Sequence, residues 1–262
     1  MKPIRVAVHG AQGKMGQEVI SALCRDPETR VVGAVEQKVA EDSLTLPDGS
    51  EVLLSSNLES ILKTCQPDVM VDFSVAKASM PAIRIAAGQR VNLVVGTTGF
   101  TDSDINEMRQ LATEQGIGMV VAANFALGAI LMIHLAKIAA KYLDYAEIIE
   151  LHHHLKLDAP SGTALSTARA MAQARGKPFQ RSEQGQTSNS RGEQVEGIAI
   201  HSVRLPGLLG HQEVIMGAAG QTLSIRHDTI SRECYMPGVM LAVKEVVKRP
   251  GFTYGLDTLL NL

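Results

Sequence analysis

The chain has 262 residues, enough for one large domain or two modest ones, and 45% of them are hydrophobic, enough to bury a core. A formal net charge of -2, 3% aromatic residues and no tryptophan exclude a nucleic-acid binder, because nothing draws in a phosphate backbone and little can stack on bases. Cys24, Cys65 and Cys234 are odd in number and form no CxxC pair, and the opening MKPIRVAVHG lacks a signal-peptide core, so reduced thiols and a cytoplasmic location are expected.

The first hundred residues alternate apolar runs with helical patterns, which predicts a parallel sheet wrapped by helices. Strands are expected at 5–9, 31–36, 69–73, 93–95 and 117–121, and helices at 14–25, 58–65, 80–89 and 103–115. The runs Val-Val-Gly-Ala-Val and Asn-Leu-Val-Val suit strands covered on both faces. The first strand leads straight into Gly10, Ala11, Gln12, Gly13, Lys14 and Met15, with a third glycine at Gly16. Between a strand and a helix this spacing reads as a dinucleotide loop: Gly10 for the turn, Gly13 for close approach to a pyrophosphate, Gly16 for helix packing.

Glu36 ends the second strand where a ribose-binding carboxylate belongs, and Gln37 follows it. A carboxylate suits the free 2′-hydroxyl of NADH, while Lys14 and Lys38 could serve the phosphate of NADPH, so both cofactors are expected with NADH not disfavoured. Gly96, Thr97 and Thr98 follow one later strand, and Ala122, Ala123, Asn124 and Phe125 another, at carboxyl ends where a nicotinamide ring could lie against backbone.

From Gln115 to Ala136 no Asp, Glu, Lys or Arg occurs, a length that could span a bilayer. Gly116, Gly118, Asn124 and Gly128 interrupt it, and it divides into a strand, a turn and a helix over 128–143, so no membrane span is expected. Beyond residue 145 the rhythm changes: a strand at 146–152, a loop and helix opening near Ser161, then strands at 198–204, 213–217 and 222–227 without helices between them. That order predicts a second, α+β domain with a mixed, mostly antiparallel sheet. The polar tract 182–197 reads as an exposed, mobile loop. A final helix at 237–248 has the spacing to return to the first sheet. The expected division is residues 1–125 with 235–262 for an α/β, Rossmann-type dinucleotide domain, and 126–234 for substrate.

Residues 150–164, E-L-H-H-H-L-K-L-D-A-P-S-G-T-A, concentrate proton carriers and anion-binding groups. On a regular strand Glu150, His152, His154 and Lys156 would share one face. Glu and two His there could hold a metal, but Lys156 would set a cation beside a cation, and no metal is expected. Acid/base chemistry fits better, since a reductase that receives hydride from a nicotinamide also needs a proton donor. Asp158 or Ser161 can cap a helix and leave the amides around Gly162 and Thr163 for a carboxylate, so the pocket suits a small anionic acid.

This stretch resembles the signature E-x-H-H-x-x-K-x-D-A-P-S-G-T-A of the 4-hydroxy-tetrahydrodipicolinate reductase family, also called dihydrodipicolinate reductases, at every fixed position. The resemblance extends to the glycine loop, Asp72-Phe73-Ser74, Gly96 to Gly99, Ala123-Asn124-Phe125, Ser202-Val203-Arg204, Gly210-His211 and Ser231-Arg232. It implies reduction by NADH or NADPH of a cyclic dicarboxylate made from pyruvate and aspartate semialdehyde, in lysine biosynthesis. It also implies His152 as general acid, Lys156 as a second proton donor, and His153, Gly162 and Thr163 as carboxylate ligands. A homotetramer formed through the substrate-domain sheets completes the implied picture. Gln37 stands where some members carry a basic residue, which argues against a strong preference for NADPH.

Overall fold

A computed structural model describes residues 2–180 and 189–262. Contacts divide the chain into two units, Met1–Leu127 with Arg232–Leu262, and Gly128–Ser231.

The first unit begins with β1 (Ile4–His9), α1 (Lys14–Arg25), β2 (Thr29–Val35), β3 (Ser43–Thr45), β4 (Glu51–Ser55), α2 (Leu58–Cys65) and β5 (Val69–Asp72). It continues with α3 (Ala76–Gly88), β6 (Asn92–Val95), α4 (Asp102–Gln115) and β7 (Gly118–Val121). In the second unit lie α5 (Leu127–Ala139), β8 (Tyr145–His152), α6 (Gly162–Arg175), β9 (Glu193–Val195), β10 (Ile198–Arg204), β11 (Gly210–Ala218) and β12 (Gln221–Thr229). The chain then returns to the first unit with α7 (Met236–Val246), β13 (Gly251–Tyr254) and α8 (Leu256–Leu260).

The first sheet has the order β13-β7-β6-β5-β1-β2-β4-β3. All neighbours run parallel except the edge strand β3, which is antiparallel to β4. Strands β5 and β7 are buried at every position, as expected where helices cover both faces. The strand order reverses at β1, whose neighbours are β2 and β5, so the carboxyl ends of these strands frame the crevice where such folds bind ligands. Helix α4 starts from a Thr101–Asp104 capping box and stops at Gly116 in the left-handed region, φ +65. The Rossmann-type expectation holds.

In the second unit the order is β12-β11-β8-β10-β9; only β8 and β10 run parallel, giving the mixed, mostly antiparallel sheet expected. Its inner face buries Ile148, Ile198, Ile200, Val214 and Met216 against Ala164, Ala168 and Met171 of α6.

Boundaries are where the expectations moved. Helix α3 begins at Ala76 rather than residue 80: the Ala78 and Ser79 amides bond to the Val75 carbonyl, and Pro81 stands inside the helix instead of opening it. Helix α5 ends at Ala139, before residue 143. Strands β3, β4 and β13 were not anticipated. Of the tract expected to be a mobile loop, residues 182–188 lie outside the described residues, and Glu193–Val195 instead forms β9 on the edge of β10. Among the described residues no helix is long and apolar enough to cross a membrane.

Candidate active site

In the first unit, β1 runs into a turn whose backbone leaves no room for side chains. Gly10 has φ +78, and a Cβ there would stand 2.8 Å from the Phe73 carbonyl oxygen. A Cβ on Gly16 would stand 2.1 Å from the Gly10 oxygen, so α1 lies directly against the turn. The Gly10 and Ala11 amides donate to the Val35 oxygen at 2.9 and 3.2 Å, fastening the loop to the end of β2. Helix α1 has Gly13 as its N-cap with no side-chain cap, which leaves its first amides for an anion. Just past β2, the Glu36 carboxylate accepts from the Gln12 amide at 3.1 Å and the Gln37 amide at 2.9 Å, so a carboxylate is held beside the glycine loop. These residues fit a dinucleotide.

The other predicted groups of this unit gather at the carboxyl ends of β6 and β7. Gly96 is required by Phe73, whose ring would lie 2.1 Å from a Cβ at that position, and Phe73 packs on Phe125 with ring centroids 5.7 Å apart. Ala122 and Phe125 are fully buried, so only their backbone can serve a ligand, whereas Ala123 and Thr98 are exposed. Asn124 accepts from the Ala126 amide at 2.9 Å.

Sequence reasoning missed His9 and Asp72 as a pair. Asp72, with no solvent exposure, receives hydrogen bonds from the Thr97 hydroxyl at 2.9 Å and from Ser79, and its Oδ1 lies 2.7 Å from His9 Nδ1. Burial alone would raise its carboxyl; the bonds from His9 and Ser79 outweigh that and hold it below the usual range. His9 also lines a cavity of about 420 Å³ with Val35, Asn57, Glu59, Ala82 and Ile85.

In the second unit, β8 stays regular only to His152. Residues 153–156 then turn, with the Lys156 amide bonded to the His153 oxygen at 3.1 Å, so the shared face expected through Lys156 ends at His152. His153 and His154 are exposed, and the half-buried Lys156 donates to Asp158 at 2.7 Å. Among the described residues no group of three or more His, Cys, Asp or Glu could hold a metal ion.

The centre of the arrangement is Glu150, fully buried on a face it shares with Ala146 and Ile148. Its Oε2 lies 2.5 Å from His152 Nδ1, and Arg204 on β10 reaches both oxygens at 2.9 and 2.8 Å. The Ser161 amide donates to Oε1 at 3.2 Å, while the Ser161 hydroxyl caps α6 by accepting from the Ala164 amide. The Gly162 and Thr163 amides open that helix, with open space where a Gly162 side chain would be. Burial would raise the Glu150 carboxyl, but the bonds from His152, Arg204 and Ser202 together hold it at about 2. With Nδ1 engaged, the free edge of the His152 ring is Nε2, which faces Gly210: a Cβ there would be 3.5 Å away.

Glu150 and Arg204 were not predicted as site residues. One signal was available: a carboxylate that follows Ala146 and Ile148 on the inward face of a strand requires a partner. The partner's identity was hidden in β10, far along the chain.

Residues 4–125 match the family description "Dihydrodipicolinate reductase, N-terminus" and residues 128–260 match "Dihydrodipicolinate reductase, C-terminus". The chain belongs to the dihydrodipicolinate reductase family. A protein of Dehalococcoides mccartyi strain BAV1 named 4-hydroxy-tetrahydrodipicolinate reductase is 58% identical to it, each covered over 100% of its length. One of the same name from Bacillus subtilis strain 168 is 42% identical, with 98% of each chain covered. The solved structure of a dipicolinate-bound dihydrodipicolinate reductase from Paenisporosarcina sp. TG-14 superposes with a TM-score of 0.87 at 39% identity, covering 98% of this chain and 99% of that one. As a dihydrodipicolinate reductase family member the chain is an oxidoreductase, and its cofactor is NADH or NADPH.

Proposed function

We propose that this protein reduces 4-hydroxy-tetrahydrodipicolinate to tetrahydrodipicolinate with loss of water, in the diaminopimelate route of lysine biosynthesis. One observation carries the reading: a single buried carboxylate, Glu150, holds both the His152 ring and the amide of Ser161 at the mouth of α6, so a proton donor and an anion-binding turn share one support. The relatives' common name and the dipicolinate in the Paenisporosarcina structure agree with a cyclic dicarboxylate as substrate.

The bound nicotinamide supplies the hydride. His152 protonates the substrate's ring carbon from Nε2, the ring nitrogen left free by Glu150. Lys156 is the second donor and holds substrate, exchanging its Asp158 partner for a carboxylate. The Gly162 and Thr163 amides bind a carboxylate where the helix dipole favours negative charge, with His153 alongside. On the cofactor side, residues 10–15 hold the pyrophosphate and Glu36 the ribose. Gln37 allows both NADH and NADPH, the cavity beside His9 takes the adenine, and the backbone of residues 96–98 and 122–125 takes the nicotinamide end.

A cytoplasmic homotetramer belongs to the same reading, with the four copies meeting on the outer face of the second sheet. Ile149, Leu151, Val203 and Ile215 line that face by register and are only half-buried.

The test is direct. Substrate is generated in place from pyruvate and aspartate semialdehyde with the condensing synthase, and consumption of NADH and NADPH is followed; no consumption of either sinks the proposal. His152→Ala and Lys156→Ala should each lower turnover on the order of 10² to 10⁴. Near-normal turnover in His152→Ala with loss in His154→Ala would move the acid to the other histidine.

A further inference from the structure

Glu150 gives up solvent completely although its strand neighbours on the same face are Ala146 and Ile148. An ion in such a place is costly unless every oxygen is matched, and here both are: Oε2 by His152 and Arg204, Oε1 by Arg204 and the Ser161 amide. Arg204 is itself mostly buried and is anchored further by the Asp158 and Val203 carbonyls.

We propose that Glu150 and Arg204 are positioning residues for the proton donor: the carboxylate clamps the His152 ring through Nδ1 so that Nε2 delivers the proton, and the guanidinium tempers that carboxylate's pull. This rests on the reading of His152 as the acid. The two partners act on the charged imidazolium with opposite signs. Glu150 stabilises it, and Arg204, bound to the same carboxylate, weakens that stabilisation.

The other groups around the ring are few. On its own strand and the loop after it are His153 and the Lys156–Asp158 pair. Across the sheet, on the same face by register, are Gly210 and Gln212 of β11 and Thr229 and His227 of β12. Helix α6 presents amides and no acidic residue in its first turn. Glu150 is bonded to the His152 ring and Arg204 to Glu150, so the two form one charged chain leading to the ring.

The experiment compares the pH dependence of kcat and the titration of the His152 ring resonance in the full-length protein, the resonance being assigned by its loss in His152→Asn. Glu150→Gln should lower kcat roughly 10- to 10²-fold with KM for NADH nearly unchanged, and bring the alkaline limb down by about one pH unit. Arg204→Met should move the limb up by about as much, and Arg204→Lys, which keeps the charge, should return it toward wild type. Should Arg204→Met not fold, Glu150→Gln and Arg204→Lys still decide. A His152 resonance that titrates unchanged in Glu150→Gln, or shifts of the same sign in the Glu150 and Arg204 variants, overturns the proposal whatever turnover does. A resonance moved as expected, in a protein whose His152→Ala variant keeps full turnover, upholds the clamp and overturns the assignment of the acid.

Discussion

Two buried carboxylates, Asp72 and Glu150, each face a histidine Nδ1, and both are held below the usual carboxylate range. The folded Glu150 carboxyl sits at about 2, below the ordinary 4.5. Because the value is depressed on folding, its contribution is fully present above about pH 4.5 and is lost as pH falls toward 2. The size is on the order of 3 kcal/mol. Glu150→Gln should therefore cost more stability at pH 7 than at pH 3, read from urea midpoints at both pH values; an equal loss at both would contradict the ionised, bonded state described. A proton donor among the histidines and Lys156 was a candidate from residue types and their setting beside the Ser161-Gly162-Thr163 turn, and the resemblance pointed to His152. The role of Glu150 could not be read, because two of the groups that join His152 in holding it ionised, Arg204 and Ser202, come from a different strand of the sheet.

The glycine loop shows how an element can reverse an ordinary propensity. Alanine in place of glycine inside a helix normally stabilises by up to about 1 kcal/mol. At Gly16 the added carbon would stand 2.1 Å from the Gly10 oxygen and 2.9 Å from Ala11, both backbone, so α1 would have to back away from β1. Gly16→Ala should thus lower Tm by several degrees and weaken NADH binding at least about tenfold, measured by thermal melt and by quenching titration; a stabilised variant with normal affinity would refute the packing described. The loop and its helix could be read because glycine spacing, strand and helix are all local. Strands β3, β4 and β13 could not, since they are short, their positions are largely half-buried or exposed, and they exist through pairing with distant partners such as β7. The start of α3 lies four residues before the expected residue 80, because the Ala78 and Ser79 amides already bond to the Val75 carbonyl and Pro81 is accommodated inside the helix.

The alternation of strand and helix, followed by consecutive strands, was enough to separate a parallel sheet from a mixed one. Residues 232–262 are what join the ends of the first unit. Val239, Ala242 and Val243 of α7 are wholly buried, the Val246 oxygen would lie 2.0 Å from a Cβ on Gly118, and β13 extends the sheet beyond β7. A chain ending at residue 231 should therefore lose the cooperative melt of its first unit and with it NADH binding, by calorimetry and titration; retained binding would show that α7 and β13 merely decorate a finished sheet.

The same arrangement bears on how the protein is made. A ribosome delivers α7 and β13 after the whole second unit has emerged, so throughout synthesis the flank of β7 is an unpaired edge and the ground beneath α7 is bare. The second unit is uninterrupted in the chain and can close while still tethered, whereas the nascent first unit waits for its last strand. Chaperone demand should therefore fall on the half that is translated first and finished last.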